Sequence, residues 1–325
     1  MIRLAFIGCG AFARRYHLPA LEQADDVSVT FICDPSAAPE LVSAAAKFDA
    51  KLTQRMDDLW DSSAGNAVII TTPHTLHAEQ TRAALEHGKH VLVDKPFVMK
   101  DAEAQELSEL ATKLSLINGV AFTRRFDPGC LRAREIIREG GVGPVRAVEA
   151  VQLGYERAGW FLVPELGGGG PFTGRASHIA DLVPWLVGVD PSDVRGRLRQ
   201  GPPGRSDHGG FIDIRFSEFD CRITCIESGL HMWDEVRIYG DDGVIELRRP
   251  LTVPIGWSLV WTKNREGATE TMPADSTPGA ATEDFLHALR TGSAPACSFD
   301  DARTSVRVVE AAFRSAREGE RWISL

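Results

Sequence analysis

Short apolar runs alternate with amphipathic stretches through the first third of the chain. Apolar runs stand at residues 4–7, 27–33, 67–70, 91–93 and 119–122. Between them, residues 40–47, 78–86 and 101–114 carry apolar positions at helical spacing. Asp101 suits the N-cap of the last stretch. Alternating strands and helices predict a doubly wound parallel sheet with helices on both faces, an α/β domain over residues 1–121.

The pattern then changes. A helix is expected over 132–139, ending at Gly140-Gly141, followed by strand-like runs at 145–153, 211–216, 222–226 and 235–239. Gly240-Asp241-Asp242-Gly243 signals a hairpin into a further strand at 244–247. A helix over 178–186 interrupts the strands and another, about 302–318, closes the chain. Mostly consecutive strands predict a second, α+β domain over 122–325, built on a large mixed, mostly antiparallel sheet. The glycine run at 167–170 is expected to be either mobile or tightly turned.

Composition narrows the partners. A chain of 325 residues accommodates two domains. The net charge of −9, without a basic run, argues against nucleic acid and against an anionic membrane surface. No apolar stretch is long enough to span a bilayer, and the opening residues lead to the expectation of no signal peptide. The six cysteines form no CxxC pair, which favours reduced buried thiols in a cytoplasmic protein over a metal site.

The chemistry begins at Gly8-Cys9-Gly10-Ala11-Phe12-Ala13, which fits G-x-G-x-x-(G/A) between a strand and a helix. Gly8 allows the tight turn, Gly10 lets backbone approach a pyrophosphate, and Ala13 permits close helix–strand packing. The helix start then offers free N–H groups to the phosphates. Asp34 ends the second strand, where an acidic residue takes the adenosine ribose hydroxyls. No arginine stands in the Pro35-Ser36-Ala37 that follows it, so NAD is preferred over NADP. Lys95, followed by Pro96 past the end of another strand, stands where ligands bind in open α/β sheets.

These residues, in this order, resemble the Gfo/Idh/MocA oxidoreductases over nearly the whole chain. The likeness includes the glycine motif, His17-Leu18-Pro19-Ala20-Leu21, Thr72-Pro73 with His77, and the block from Ala84 to Pro96. It continues through Arg125-Phe126-Asp127-Pro128, Gly140 to Gly143, Gly168 to Gly170, His178-x-x-Asp181, Gly240 to Val244 and the tail from Phe285. The family's Glu-Lys-Pro is here Asp94-Lys95-Pro96.

The resemblance implies several roles. Lys95 orients the reacting oxygen and contacts the nicotinamide ribose. Thr71, Thr72, Pro73, His74 and His77 lie along the cofactor, and Arg125 borders it. His178 moves the proton, a task that suits an imidazole. The family aspartate four residues before this histidine is absent, because Gly174 stands there. Thr173 and Arg175 are the candidate substitutes, with Arg175 either favouring a carboxylate-bearing substrate or facing solvent. Trp160 is the preferred substrate-facing residue among Tyr155, Arg157, Trp160 and Phe161; His231 and Trp233 are further candidates.

The implied activity is NAD(P)-dependent hydride transfer at a hydroxyl-bearing carbon of a sugar, cyclitol or related compound, by a homodimer or homotetramer. The alternatives are an NAD-dependent glycosidase-type enzyme and a non-catalytic dinucleotide-sensing regulatory protein.

Overall fold

The structure, a computed structural model, describes residues 1–36, 38–155, 158–201, 206–227, 232–250, 256–264, 268–275 and 279–325. The chain divides into two units: Met1–Thr123 with Pro278–Arg303, and Arg124–Thr277 with Thr304–Leu325.

The first unit is built on six parallel strands: β1 (Ile2–Ile7), β2 (Val27–Cys33), β3 (Lys51–Thr53), β4 (Ala67–Ile70), β5 (His90–Val93) and β6 (Asn118–Val120). Their order is β3-β2-β1-β4-β5-β6, the doubly wound order of dinucleotide-binding folds. All four residues of β4 are buried, as a strand covered on both faces requires. A helical stretch follows β1, with a π-turn at Ala13–His17 leading into α1 (Leu18–Leu21). Then come α2 (Pro39–Lys47), α3 (His77–Glu86) and α4 (Asp101–Lys113). Lys100, not Asp101, occupies the N-cap of α4. The Asp101 carboxylate instead accepts two hydrogen bonds from Arg303, at 2.5 and 2.9 Å.

A late helix, α8 (Ala280–Thr291), also belongs to this first unit. It packs on α1, where the His17 ring nitrogen Nδ1 lies 2.8 Å from the Thr282 hydroxyl. Sequence order had assigned it to the second domain.

The second unit holds a nine-stranded sheet and the helices α5 (Pro128–Arg138), α6 (Pro164–Gly167) and α7 (Ser177–Val187). Its strands are β7 (Val145–Gly154), β8 (Asp193–Leu198), β9 (Gly209–Arg215), β10 (Asp220–Glu227), β11 (Trp233–Gly240), β12 (Gly243–Pro250), β13 (Trp257–Lys263), β14 (Ala268–Asp275) and β15 (Ile323–Ser324). The final helix, α9 (Phe299–Arg317), runs across the division at residue 303. The strand order is β14-β13-β12-β11-β7-β10-β9-β8-β15. Only the β7–β10 pairing is parallel.

One face of this sheet is the core. Leu247, Val236, Ala150, Ile223 and Ile212 stand in register across five strands, all buried. Ile179, Leu182, Val183 and Leu186 of α7 join the same apolar cluster. Cys221 and Cys225, four apart on β10, are both buried there as free thiols.

Candidate active site

In the first unit, strand order reverses between β1 and β4, and the loops after these two strands are tied together. The Thr71 amide donates to the Ile7 carbonyl at 2.9 Å, and the Thr71 hydroxyl donates to the Gly8 carbonyl at 2.8 Å. Gly8 has a positive φ of 78°, and a Cβ there would come within 2.7 Å of the Thr72 methyl. Only glycine meets both demands. Gly10 is exposed, and a Cβ placed on it would meet nothing within 4 Å. Ala11 is exposed, Phe12 half-buried and Ala13 fully buried, so the helix start packs inward at Ala13 and stays open at Gly10.

Asp34 is held at the edge of this loop. One carboxylate oxygen accepts from the Cys9 amide and the other from the Ser36 amide, both at 2.9 Å. Each oxygen retains lone-pair capacity for a hydroxyl donor. The open backbone at Gly10, the free N–H groups of the helix start and this placed carboxylate fit the pyrophosphate and ribose of a dinucleotide. Burial pushes the Cys9 thiol up to about 11, away from the reactive thiolate form.

The loop after β4 meets the loop after β5 through a histidine. His77 opens α3 and is fully buried. Its Nδ1 lies 2.8 Å from the Pro96 carbonyl oxygen, and its Nε2 lies 3.0 Å from that of Thr72. The Thr72 hydroxyl donates to Gln80 at 2.5 Å. Thr71, Thr72 and Pro73 are half-buried; His74 is buried, with its ring 6.0 Å from that of His77. Lys95 is 7% exposed, its peptide bond to Pro96 is cis, and its amide donates to the Asp94 carboxylate at 2.8 Å. His77 thus meets loop backbone with both nitrogens.

In the second unit, α7 carries His178, Asp181 and Trp185 at helical spacing on one face, and His178 is half-buried. Asp181 holds Arg125, which lies in the turn at Thr123–Phe126. This commits the Arg125 guanidinium to a carboxylate within its own unit. Gly174 lies in the π-turn at Phe172–Ala176 and donates its amide to the Gly170 carbonyl at 3.1 Å.

The two residues proposed to replace the absent aspartate are both committed to structure. The Thr173 hydroxyl donates to the Gly168 carbonyl at 3.1 Å, bracing the glycine run. That run is tightly turned: the Gly170 amide also donates to Asp207 at 2.6 Å. Arg175 is 5% exposed, so it does not face solvent. It lies across Gly154 of β7, where a Cβ would overlap its guanidinium, and its Nη2 donates to the Tyr155 carbonyl at 2.7 Å. Trp160 is half-buried and stacks on Phe161 at 3.6 Å. Trp233 donates to Glu235 at 3.0 Å on the sheet face opposite Asp234, away from the core side. Arg157 and His231 lie outside the described residues.

Sequence reasoning missed a polar row on the core-side face. One step beyond the apolar row, Arg249, Asp234, Gln152, Cys225 and Gly210 stand in register across the sheet. Arg124 donates to Asp234 at 2.8 Å and lies over the Trp257 ring. Burial lowers the Arg124 pKa to about 10. The carboxylate and its two arginines come from positions 124, 234 and 249, too far apart in sequence for a motif. The only signal in the chain was the polar residue on the inward-facing alternation of three strands, Gln152, Asp234 and Arg249.

Comparison with known proteins fits this architecture. The model of the Gfo/Idh/MocA oxidoreductase family's NAD-binding Rossmann fold matches residues 2–122, and the model of the family's C-terminal domain matches residues 130–246. The chain belongs to this oxidoreductase family. A 1,5-anhydro-D-fructose reductase of Ensifer adhaerens is 26% identical over 98% of both chains. An uncharacterised oxidoreductase of Schizosaccharomyces pombe is 32% identical over 62% of this chain and 57% of its own length. The chain therefore spans less than two thirds of the length of some relatives it matches. The crystal structure of an oxidoreductase domain protein from Kribbella flavida shares the fold, with a TM-score of 0.86 and 24% identity over 99% of this chain and 98% of that one.

Proposed function

We propose that the protein is an NAD-dependent dehydrogenase or reductase that moves a hydride between nicotinamide and a hydroxyl-bearing carbon of a sugar, cyclitol or related compound. The carrying observation is the tied pair of loops after β1 and β4, where Gly10 stays open and Asp34 is fixed on the glycine loop. The name of the Ensifer relative, a reductase of an anhydro sugar, supports the substrate class.

When bound, the dinucleotide supplies the hydride acceptor or donor, and the chain supplies placement and a proton path. Gly8, Gly10, Ala11, Phe12 and Ala13 receive the pyrophosphate, and Asp34 takes the ribose hydroxyls. Thr71, Thr72, Pro73 and His74 line the nicotinamide side, while Lys95 orients the substrate oxygen. His178 takes the hydroxyl proton as the alcohol is oxidised and returns it in reduction. Trp160 borders the substrate, and Arg175 with Thr173 shapes that border through the sheet and the glycine run. The working form is a homodimer or homotetramer.

The test is a panel of sugars, cyclitols and sugar acids assayed for NADH formation. His178→Ala should lower kcat by about 10²–10⁴ with NAD affinity intact, the usual loss for a general acid–base. Lys95→Ala should damage both kcat and nicotinamide placement. NAD binding with no turnover across the panel would favour a sensor, and substrate cleavage without net NADH a glycosidase-type enzyme.

A further inference from the structure

We propose that His77 is a positioning residue: its ring joins the Thr72-Pro73 loop to the Lys95-Pro96 loop, and so fixes the dinucleotide-facing backbone and Lys95 relative to each other. The proposal rests on the functional reading above for what Lys95 does, and on geometry alone for the clamp.

His77 is 0% exposed, so its ring touches neither solvent nor a ligand. Its two nitrogens meet two main-chain carbonyls from different loops, at 2.8 and 3.0 Å. The loops follow neighbouring parallel strands, β4 and β5, and no described backbone hydrogen bond joins residues 71–76 to residues 95–98. The Asp94 amide does pair with the Ile70 carbonyl, but this is the last rung of the strands themselves. Beyond that rung, the imidazole spans the gap.

The ring's protonation bears on how it holds them. A neutral imidazole has one N–H, so it donates to one carbonyl and presents a lone pair to the other; the imidazolium donates to both. Burial disfavours the charged form and comes first in lowering the pKa of His77 below its ordinary value. Lys95 and the positive end of α3 act in the same sense; the two carbonyls and Asp94 oppose them, and the His74 ring lies 6.0 Å away. At neutral pH the neutral ring therefore donates one hydrogen bond, to one of the two carbonyls, and packs its other edge against the second loop.

This gives a test that a packing role would not pass. Asn places an amide near the Nδ1 position and Gln places one near Nε2. His77→Phe keeps the ring volume and loses the hydrogen bond. It should raise the Kd for NAD several-fold and lower kcat by about 10–10², the scale of loss that a misplacement near 1 Å produces. His77→Asn should recover most of kcat, by holding Pro96 and hence Lys95. His77→Gln should recover most of the NAD affinity, by holding Thr72. Long-range ¹H–¹⁵N correlation of the wild-type ring at pH 7 should show one protonated nitrogen.

NAD affinity and the ring spectrum are read without turnover, so a wrong functional reading would leave these two arms standing. If Asn and Gln behave like Phe in both readouts, or if Phe matches wild type, the clamp is refuted. Thermal melts of all three variants exclude simple unfolding as the cause.

Discussion

The Arg125 guanidinium is clasped by the Asp181 carboxylate. Nη2 lies 2.6 Å from Oδ1 and Nε lies 3.0 Å from Oδ2, with both residues buried. Asp181 follows His178 by three residues on α7, so the pair anchors the face of the helix that carries the proposed proton carrier. Removing one partner of a buried pair strands the other charge in a low dielectric, which typically costs about 3–5 kcal/mol. Asp181→Ala should therefore lower the urea midpoint sharply, and Asp181→Asn by less. A midpoint unchanged in Asp181→Ala would show that Arg125 finds another partner.

Asp34 carries a double duty that changes what its substitution predicts. Its carboxylate holds the Cys9 amide besides the ribose role proposed for it. Asp34→Ala should weaken NAD binding and also loosen the glycine loop, so NADP binding should not tighten in exchange. Asp34→Asn retains an acceptor for Cys9 and should lose less NAD affinity than Asp34→Ala. Titration of NADH fluorescence with each variant checks the ranking. Tighter NADP than NAD binding by the unmodified protein would refute the role given to Asp34.

Much of this architecture was legible from local patterns. The uniformly apolar β4 announced a covered parallel sheet, and the glycine motif stood where a strand meets a helix. The hairpin at Asp241-Asp242 joined β11 to β12 as its turn residues demand. What escaped had no local signature. β3 is three residues with exposed Lys51, and β8 (Asp193–Leu198) intersperses charges and a glycine among its apolar positions. Asp101 reads as a cap, yet a distant arginine claims its carboxylate. Around the candidate site, the glycine turn between strand and helix could be read, but the contacts of the His77 ring could not, because main-chain carbonyls leave no mark in a sequence. Arg175 likewise reads as a free cation until the missing side chain of Gly154 makes room for it.

Acid should destabilise the protein through three histidines. Burial lowers the pKa of His17, His77 and His90 below the ordinary 6.5. His90 Nδ1 also accepts from the Ile117 amide at 2.9 Å, a bond that needs the neutral ring. A depressed histidine pKa means that the unfolded chain binds more protons, so stability rises with pH. This contribution is complete above about pH 6.5 and is lost as pH falls towards the folded-state values. Urea midpoints at pH 7.5, 6.5 and 5.5 should decline, and His90→Asn, whose amide oxygen can accept from Ile117, should flatten the decline. A midpoint that holds steady from pH 7.5 to 5.5 would contradict the argument.

Gly154 and Arg175 form a pair that a double-mutant cycle can isolate. The guanidinium lies where a Cβ at position 154 would be, and both residues are buried. Gly154→Ala forces the arginine off the sheet, and overpacking of this kind costs about 1–3 kcal/mol. Displacement also breaks the hydrogen bond to the Tyr155 carbonyl, which leads into the segment that carries Trp160. Arg175→Ala alone should cost stability through lost packing and that same hydrogen bond. In the double variant the clash has no partner, so the combined loss should fall short of the sum by about 0.5–3 kcal/mol, the range for residues in contact. Strict additivity in urea unfolding would mean that Arg175 does not rest on Gly154. The same cycle read in KM separates the two roles given to Arg175. If it shapes the substrate border, Gly154→Ala and Arg175→Ala should raise KM together, with NAD affinity untouched in both.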